Sequence, residues 1–102
     1  YIQIMVSIND RQQAEHLIKA LLRERLIACG QCLPKMSSYY HWQDDIACDE
    51  EYLLLLKTQK QHYQAAEQLI KKRHPYDVPE IIALDIVAGS DDYLKWIKDE
   101  TR

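Results

Sequence analysis

The sequence predicts an α+β domain with one antiparallel sheet. Apolar residues follow a helical period twice, each time after an extended stretch, and between the two helices a long extended run doubles back on itself. The 102 residues are enough for one hydrophobic core but not for two, so residues 1–102 are read as a single domain.

The element order follows from the chain. "YIQIMVSI" (Tyr1 to Ile8) alternates β-branched and apolar residues with others and reads as a first strand, with Asn9-Asp10 as turn or helix cap. From Asp10 to Leu26, Ala14, Leu17, Ile18, Leu21, Leu22 and Leu26 mark one helix face, with Glu15, Lys19, Arg23 and Arg25 largely on the other. Ala28 to Trp42 loses that period, contains Pro34 and ends in the aromatic "SSYYHW", which suits a second strand. Gln43 to Asp45 supplies a polar turn, and Ile46 to Thr58 forms the returning arm of a long hairpin. The continuous "YLLLL" (Tyr52 to Leu56) within that arm predicts a strand buried on both faces. Lys60 to His74 is helical again, with Tyr63, Ala66, Leu69 and Ile70 on one face and Pro75 ending it. "IIALDIVA" (Ile81 to Ala88) is the fourth strand, broken by Gly89. Ser90 then caps a short last helix whose first turn holds Asp91 and Asp92, with Lys95 and Lys98 later along the dipole. The order β-α-β-β-α-β plus a terminal helix is the ferredoxin-like arrangement, with an extended second-to-third strand hairpin.

Bulk properties narrow the function. A net charge of -3 and a pI near 5.8 work against a phosphate backbone, so no nucleic-acid partner is expected. The longest apolar run, Tyr52 to Leu56, is far short of the roughly 20 residues of a membrane helix, and no leader-like segment opens the chain, so the expectation is a cytoplasmic protein without membrane contact. Three cysteines fit reduced thiols better than a disulfide framework.

Cys29-x-x-Cys32 invites a redox or chelate reading. A thioredoxin-type pair sits at a helix N-terminus, whereas Cys29 follows a helix and enters an extended segment; on a regular strand the two side chains point to opposite faces. Buried structural thiols are the simpler reading. Cys48 comes opposite His41 if the hairpin turns about Asp44-Asp45. His16 and His62 sit among polar neighbours and read as solvated, and Lys71 to Arg73 as the basic last turn of a helix.

"YYHW" (Tyr39 to Trp42), "LLLLKT" (Leu53 to Thr58), "RHPYDVPEI" (Arg73 to Ile81) and "GSDDYLKWI" (Gly89 to Ile97), with "RLIACGQCLP" before them, together resemble the divalent-cation tolerance proteins, the CutA family, over essentially the whole chain. The resemblance implies a ferredoxin-like homotrimer, architecturally similar to the PII signalling proteins and linked to tolerance of copper and other divalent ions. It implies no required cofactor and no enzymatic activity. Tyr39, Tyr40 and Trp42 become subunit-interface anchors, since a long hairpin has an edge that a neighbour must cover.

Carried over by position, the family's polar cleft residues are Cys29, Glu51, Lys57, His74, Tyr76 and Glu80. Cys29, Glu51, His74 and Glu80 are candidate ligands for Cu or Zn; Lys57, Tyr76 and Trp42 are candidate cleft residues, with Lys57 suited to a small anion or to an ion pair with Glu51. Where some members carry a first-strand Cys and a His-His pair, this chain has Val6 and Arg73-His74, leaving one imidazole of that set. His74 has a second reading as a cationic helix end, with Asp77 and Pro79 shaping the turn after it.

Two other classes share this element order. An acylphosphatase-like hydrolase needs an Arg in a phosphate-cradling loop, and "SINDRQQ" offers Arg11 without a Gly. An RNA-recognition motif needs aromatics on the central strands, where this chain has "YLLLL". A PII-like signalling or scaffold trimer without metal is the alternative to a metal-binding one.

Overall fold

A computed structural model describes residues 1–102. Strand β1 (Ile2–Ile8) is followed by helix α1 (Arg11–Arg23), strands β2 (Cys29–Trp42) and β3 (Asp45–Thr58), and a single 3-10 turn at Lys60–His62. That turn leads into α2 (Tyr63–Arg73), then strand β4 (Ile81–Asp85) and helix α3 (Asp91–Glu100). The four strands form one antiparallel sheet in the order β2-β3-β1-β4, the ferredoxin-like arrangement expected from the sequence. No helix is long and apolar enough to cross a membrane.

The period-2 pattern of β1 sends Ile2, Ile4, Val6 and Ile8 to one face, where they join Leu54, Leu56, Leu17, Leu21 and Ile70 in the main core. Helices α1 and α2 cover this face. Asp10 caps α1, its carboxylate accepting from the Gln12 amide at 2.9 Å. Gly30 is where α1 rests on β2: a Cβ there would stand 2.7 Å from Ile18 Cγ2.

Helix α1 stops at Arg23, three residues before the sequence expectation. The Leu26 amide donates to the Leu21 carbonyl and the Arg25 amide to the Leu22 carbonyl, both at 3.0 Å, which is a Schellman termination. Its left-handed position is Arg25 (φ 58), not Gly, so no sequence signal marked the stop. Likewise α2 begins with the 3-10 turn and ends at Arg73, because His74 precedes Pro75 and takes extended angles (φ -74, ψ 139). Strand β4 ends at Asp85 rather than at Ala88.

Two expectations about the hairpin are corrected. Tyr52 to Leu56 is not buried on both faces: Leu54 and Leu56 lie in the core, while Leu53 and Leu55 are half-buried on the opposite face, which no helix of the main core covers. The turn is Gln43-Asp44, with φ 49 and 63, the positive values a two-residue type I′ loop requires. This sets Trp42 against Asp45, His41 against Ile46, and Cys48 against Tyr39 rather than His41. His62 is also buried rather than solvated, its Nε2 2.6 Å from the Arg102 carbonyl oxygen; His16 is exposed as expected.

The register between β2 and β3 shifts between Leu33 and Met36, around Pro34. Leu33 pairs with Leu53 and Met36 with Glu51, so β2 spends one extra residue there, a β-bulge. Before it, Cys29, Gln31 and Leu33 share the open face with Lys57, Leu55 and Leu53; beyond it, Ser38, Tyr40 and Trp42 share that face with Glu51 and Asp49.

The Arg25 position gives a direct test of the α1 stop. Arg25→Val forces a β-branched residue into the left-handed region and is expected to lower the unfolding free energy by about 1–2 kcal/mol in urea denaturation. Arg25→Gly is expected to stay within about 1 kcal/mol of wild type, because relief of backbone strain offsets loss of the exposed Glu100 ion pair.

Candidate functional site

The open face ends in a polar corner built by β1, β3 and the segment after α2. His74 leaves the helix end and points back to β1, its Nε2 2.8 Å from the Ser7 carbonyl oxygen. The Tyr76 amide donates to His74 Nδ1 at 3.1 Å, so Nδ1 is an acceptor and Nε2–H donates to the Ser7 carbonyl oxygen. The two rings meet edge to face with centroids 4.7 Å apart. Tyr76 continues the chain of contacts by donating its hydroxyl to Glu51 Oε2 at 2.6 Å. Burial, then the Glu51 hydrogen bond and charge, push the Tyr76 phenol well above its ordinary range.

His74 is therefore a buried strut, 8% exposed, with both ring nitrogens hydrogen-bonded to backbone groups. Ser7 also donates to Glu80 Oε1, at 3.5 Å. His74, Tyr76, Glu51 and Glu80 thus gather around Ser7.

Cys29 and Lys57 do not join them. They are cross-strand partners, and Lys57 stands six residues along β3 from Glu51, about 20 Å at ~3.3 Å per residue. Lys57 Nζ donates to Gln31 Oε1 at 2.8 Å, so the expected ion pair with Glu51 is replaced by this contact. Cys29 Sγ lies 3.6 Å from the Tyr93 hydroxyl of α3, and that contact pushes the Tyr93 phenol up to about 12. Cys32 faces the other way and packs against the core; all three cysteines are free.

Beside the corner lies a groove of about 850 Å3 lined by twelve residues, among them Tyr39, Tyr40, Trp42, Glu51, Tyr76 and Glu80. Asp49 and Asp77 bring its carboxylates to four, and no Lys, Arg or His lines it. The Tyr40 hydroxyl donates to Asp49, which raises the Tyr40 phenol and holds its ring across the hairpin. Sequence reasoning missed Asp49, Asp77 and Ser7; alternation along β3 put Asp49 beside Glu51 on one face, but only the bulge brings Tyr40 and Trp42 there as well. A second concavity at the start of α1 holds Arg11 and Lys35, each paired with a carboxylate, Glu15 at 3.3 Å and Glu50 at 3.8 Å.

Copper or zinc prefers imidazole and thiolate donors converging within about 2.0–2.3 Å. Within one protomer His74 has both nitrogens committed, Cys29 lies at the far end of the face, and no three His, Cys, Asp or Glu side chains converge. The donor set does not fit such an ion. It is an oxygen-rich, negatively charged surface.

These features define a ferredoxin-like α+β domain with one open sheet face and an acidic groove at its end. The chain belongs to the CutA1 family: the sequence model described as "CutA1 divalent ion tolerance protein" matches residues 2–100. Similar proteins include the divalent-cation tolerance protein CutA of Thermus thermophilus, 38% identical over 96% of this chain and 95% of that protein. That of Pyrococcus horikoshii is 40% identical over 97% and 96%. The chloroplastic CutA of Arabidopsis thaliana is 37% identical over 99% of this chain, which spans 56% of that longer protein. Among solved structures, CutA1 from Pyrococcus horikoshii matches with a TM-score of 0.94 at 37% identity, covering 100% of this chain and 99% of that one. CutA1 from Oryza sativa matches with a TM-score of 0.97 at 36% identity, covering 99% and 93%.

The Tyr76 to Glu51 bond gives a signed pH dependence. A phenol raised in the folded state contributes stability that is complete below its unfolded value of 10.0 and is lost as pH rises through the folded value. Tyr76→Phe is expected to cost about 1–2 kcal/mol at pH 7 in urea denaturation, with the difference from wild type constant to pH about 10 and shrinking above it.

Proposed function

We propose that this chain works as a homotrimer in divalent-cation tolerance, binding a cationic ligand in clefts at the subunit boundaries and carrying out no catalysis. The observation that carries this reading is the sheet face that α3 covers only at one end. Leu33, Ile82 and Leu84 are 43%, 47% and 52% exposed on it, and Leu55, Met5 and Ile82 run in register across its centre. A contiguous apolar surface of this kind calls for a partner.

The hairpin adds to the argument. Tyr39 and Trp42 are 72% and 61% exposed, and β2 is an edge strand whose outer backbone groups lack a neighbour. A second copy supplies both an apolar face and an edge, and closed cyclic symmetry satisfies each copy in the same way. In that assembly Tyr39, Tyr40 and Trp42 reach the neighbouring subunit, and the acidic groove becomes a cleft between two chains. Relatives named for divalent-cation tolerance support that role, and the four carboxylates of the groove support a cationic ligand. The architecture parallels the PII proteins, and we place the protein in the cytoplasm.

Native mass spectrometry tests the assembly. At micromolar concentration the expected mass is about three times the 12.1 kDa of one chain, and Leu55→Lys, which sets a charge in the middle of the open face, is expected to shift the population to monomer. A wild-type protein that stays at one chain's mass would overturn the reading.

A further inference from the structure

We infer that the groove beside Glu51 takes a small organic cation, an ammonium or guanidinium group on an extended body, rather than a chelated metal ion. This rests on the cation-binding reading above and names the class of ligand.

Glu51 is the first reason. It is only 7% exposed, yet none of the chain's ion pairs uses it. Tyr76 satisfies Oε2, while Oε1 accepts no hydrogen bond within the protomer. Oε1 is not sealed in the interior, since no fully buried side-chain oxygen lacks a partner and Glu51 lines the groove. A carboxylate so far desolvated, with half its acceptor capacity free and turned to an opening, is completed by a donor that carries positive charge.

The spacing of the other carboxylates decides between a metal and a larger cation. A metal ion needs ligands that converge within about 2.0–2.6 Å of one point, and no three acidic, imidazole or thiol side chains do so. Asp49 instead receives the Tyr40 hydroxyl and Glu80 receives the Ser7 hydroxyl, which holds them at separate stations along the groove. Charges spread in this way match a ligand whose cationic groups are themselves separated.

The aromatic wall is the third reason. The β2 bulge turns Tyr40 and Trp42 onto the face that carries Glu51, and both line the groove. Aromatic faces beside carboxylates hold ammonium and guanidinium groups through cation–π attraction, which a hydrated metal ion gains little from. The volume of about 850 Å3 lies within the range of small-ligand sites, roughly 300–1,000 Å3.

The test is calorimetric titration of the assembled protein with agmatine and with spermidine, beside manganese chloride and magnesium chloride at the same ionic strength. A parallel titration reads Trp42 fluorescence in a Trp96→Phe background. The expected result is saturable binding of an organic cation with a change in Trp42 emission, weakened about tenfold or more in Glu51→Gln and unchanged in Glu50→Gln, whose carboxylate faces Lys35 outside the groove. Circular dichroism confirms that each variant is folded; if Glu51→Gln fails that check, Trp42→Ala takes its place, with the same loss expected. Saturable metal binding without organic-cation binding overturns the inference and leaves the cation-binding reading standing. If neither class binds a protein whose native mass is trimeric, the inference and the cation-binding reading both fall while the assembly reading stands. A neighbouring subunit's basic side chain is then the group that completes Glu51.

Discussion

The sheet has helices over one face and only partial cover over the other, and the rest of the molecule is organised by that asymmetry. On the covered side Ile4, Val6, Leu54 and Leu56 are fully excluded from water. Their burial is the main source of stability in a chain of this size. On the open side the same strands carry Met5, Leu53, Leu55 and Ile82, residues too apolar for a face meant to remain in water. The run Tyr52 to Leu56 is continuous for this reason: one set of alternate residues serves the protomer, and the other is available to a neighbour.

Against that background the β2 bulge has a defined effect. A strand without it would keep Cys29, Gln31, Leu33 and the odd-numbered residues after them on the open face. The extra residue near Pro34 reverses the alternation, so that Ser38, Tyr40 and Trp42 join Glu51 and Asp49. A second connection closes the corner from the other side, running from the Ser7 carbonyl through His74 to Tyr76 and Glu51. Cross-strand geometry and this relay together bring residues from β1, β2, β3 and the segment after α2 to one groove. The resulting surface is acidic and aromatic, a combination that neither a copper-type Cys/His site nor a phosphate cradle would share.

Features with strong local signals were legible in the sequence. The apolar period of α1, the Asp10 and Ser90 caps, Pro75 after α2 and the opposite facing of Cys29 and Cys32 all follow from spacing or from residues with narrow conformational preferences. The misses have a common cause, positions where tertiary structure imposes a conformation that the residue does not advertise. Arg25 and Gln43 adopt positive φ without being glycine, so the end of α1 and the centre of the hairpin turn were both displaced. Moving the turn back by one residue, from Asp44-Asp45 to Gln43-Asp44, moved every cross-strand partner by two positions, and Cys48 came opposite Tyr39 instead of His41. His74 and Tyr76 were found by resemblance, but their hydrogen bonds depend on Ser7, which lies 67 positions from His74 and carries no motif. Lys57 and Glu51 share a strand face, yet strand rise keeps them too far apart to pair.

Cover of the open face and the β2 edge by copies of the same chain is what we propose for this protein. Residue-resolved amide hydrogen exchange of the wild-type protein reads that cover at the β2 amides between Lys35 and Trp42 that point away from β3. Coverage by a neighbour predicts slow exchange there, comparable to β1 and faster only when assembly is disrupted. Exchange at the rate of an exposed strand edge, in a protein whose β1 amides remain protected, would contradict it.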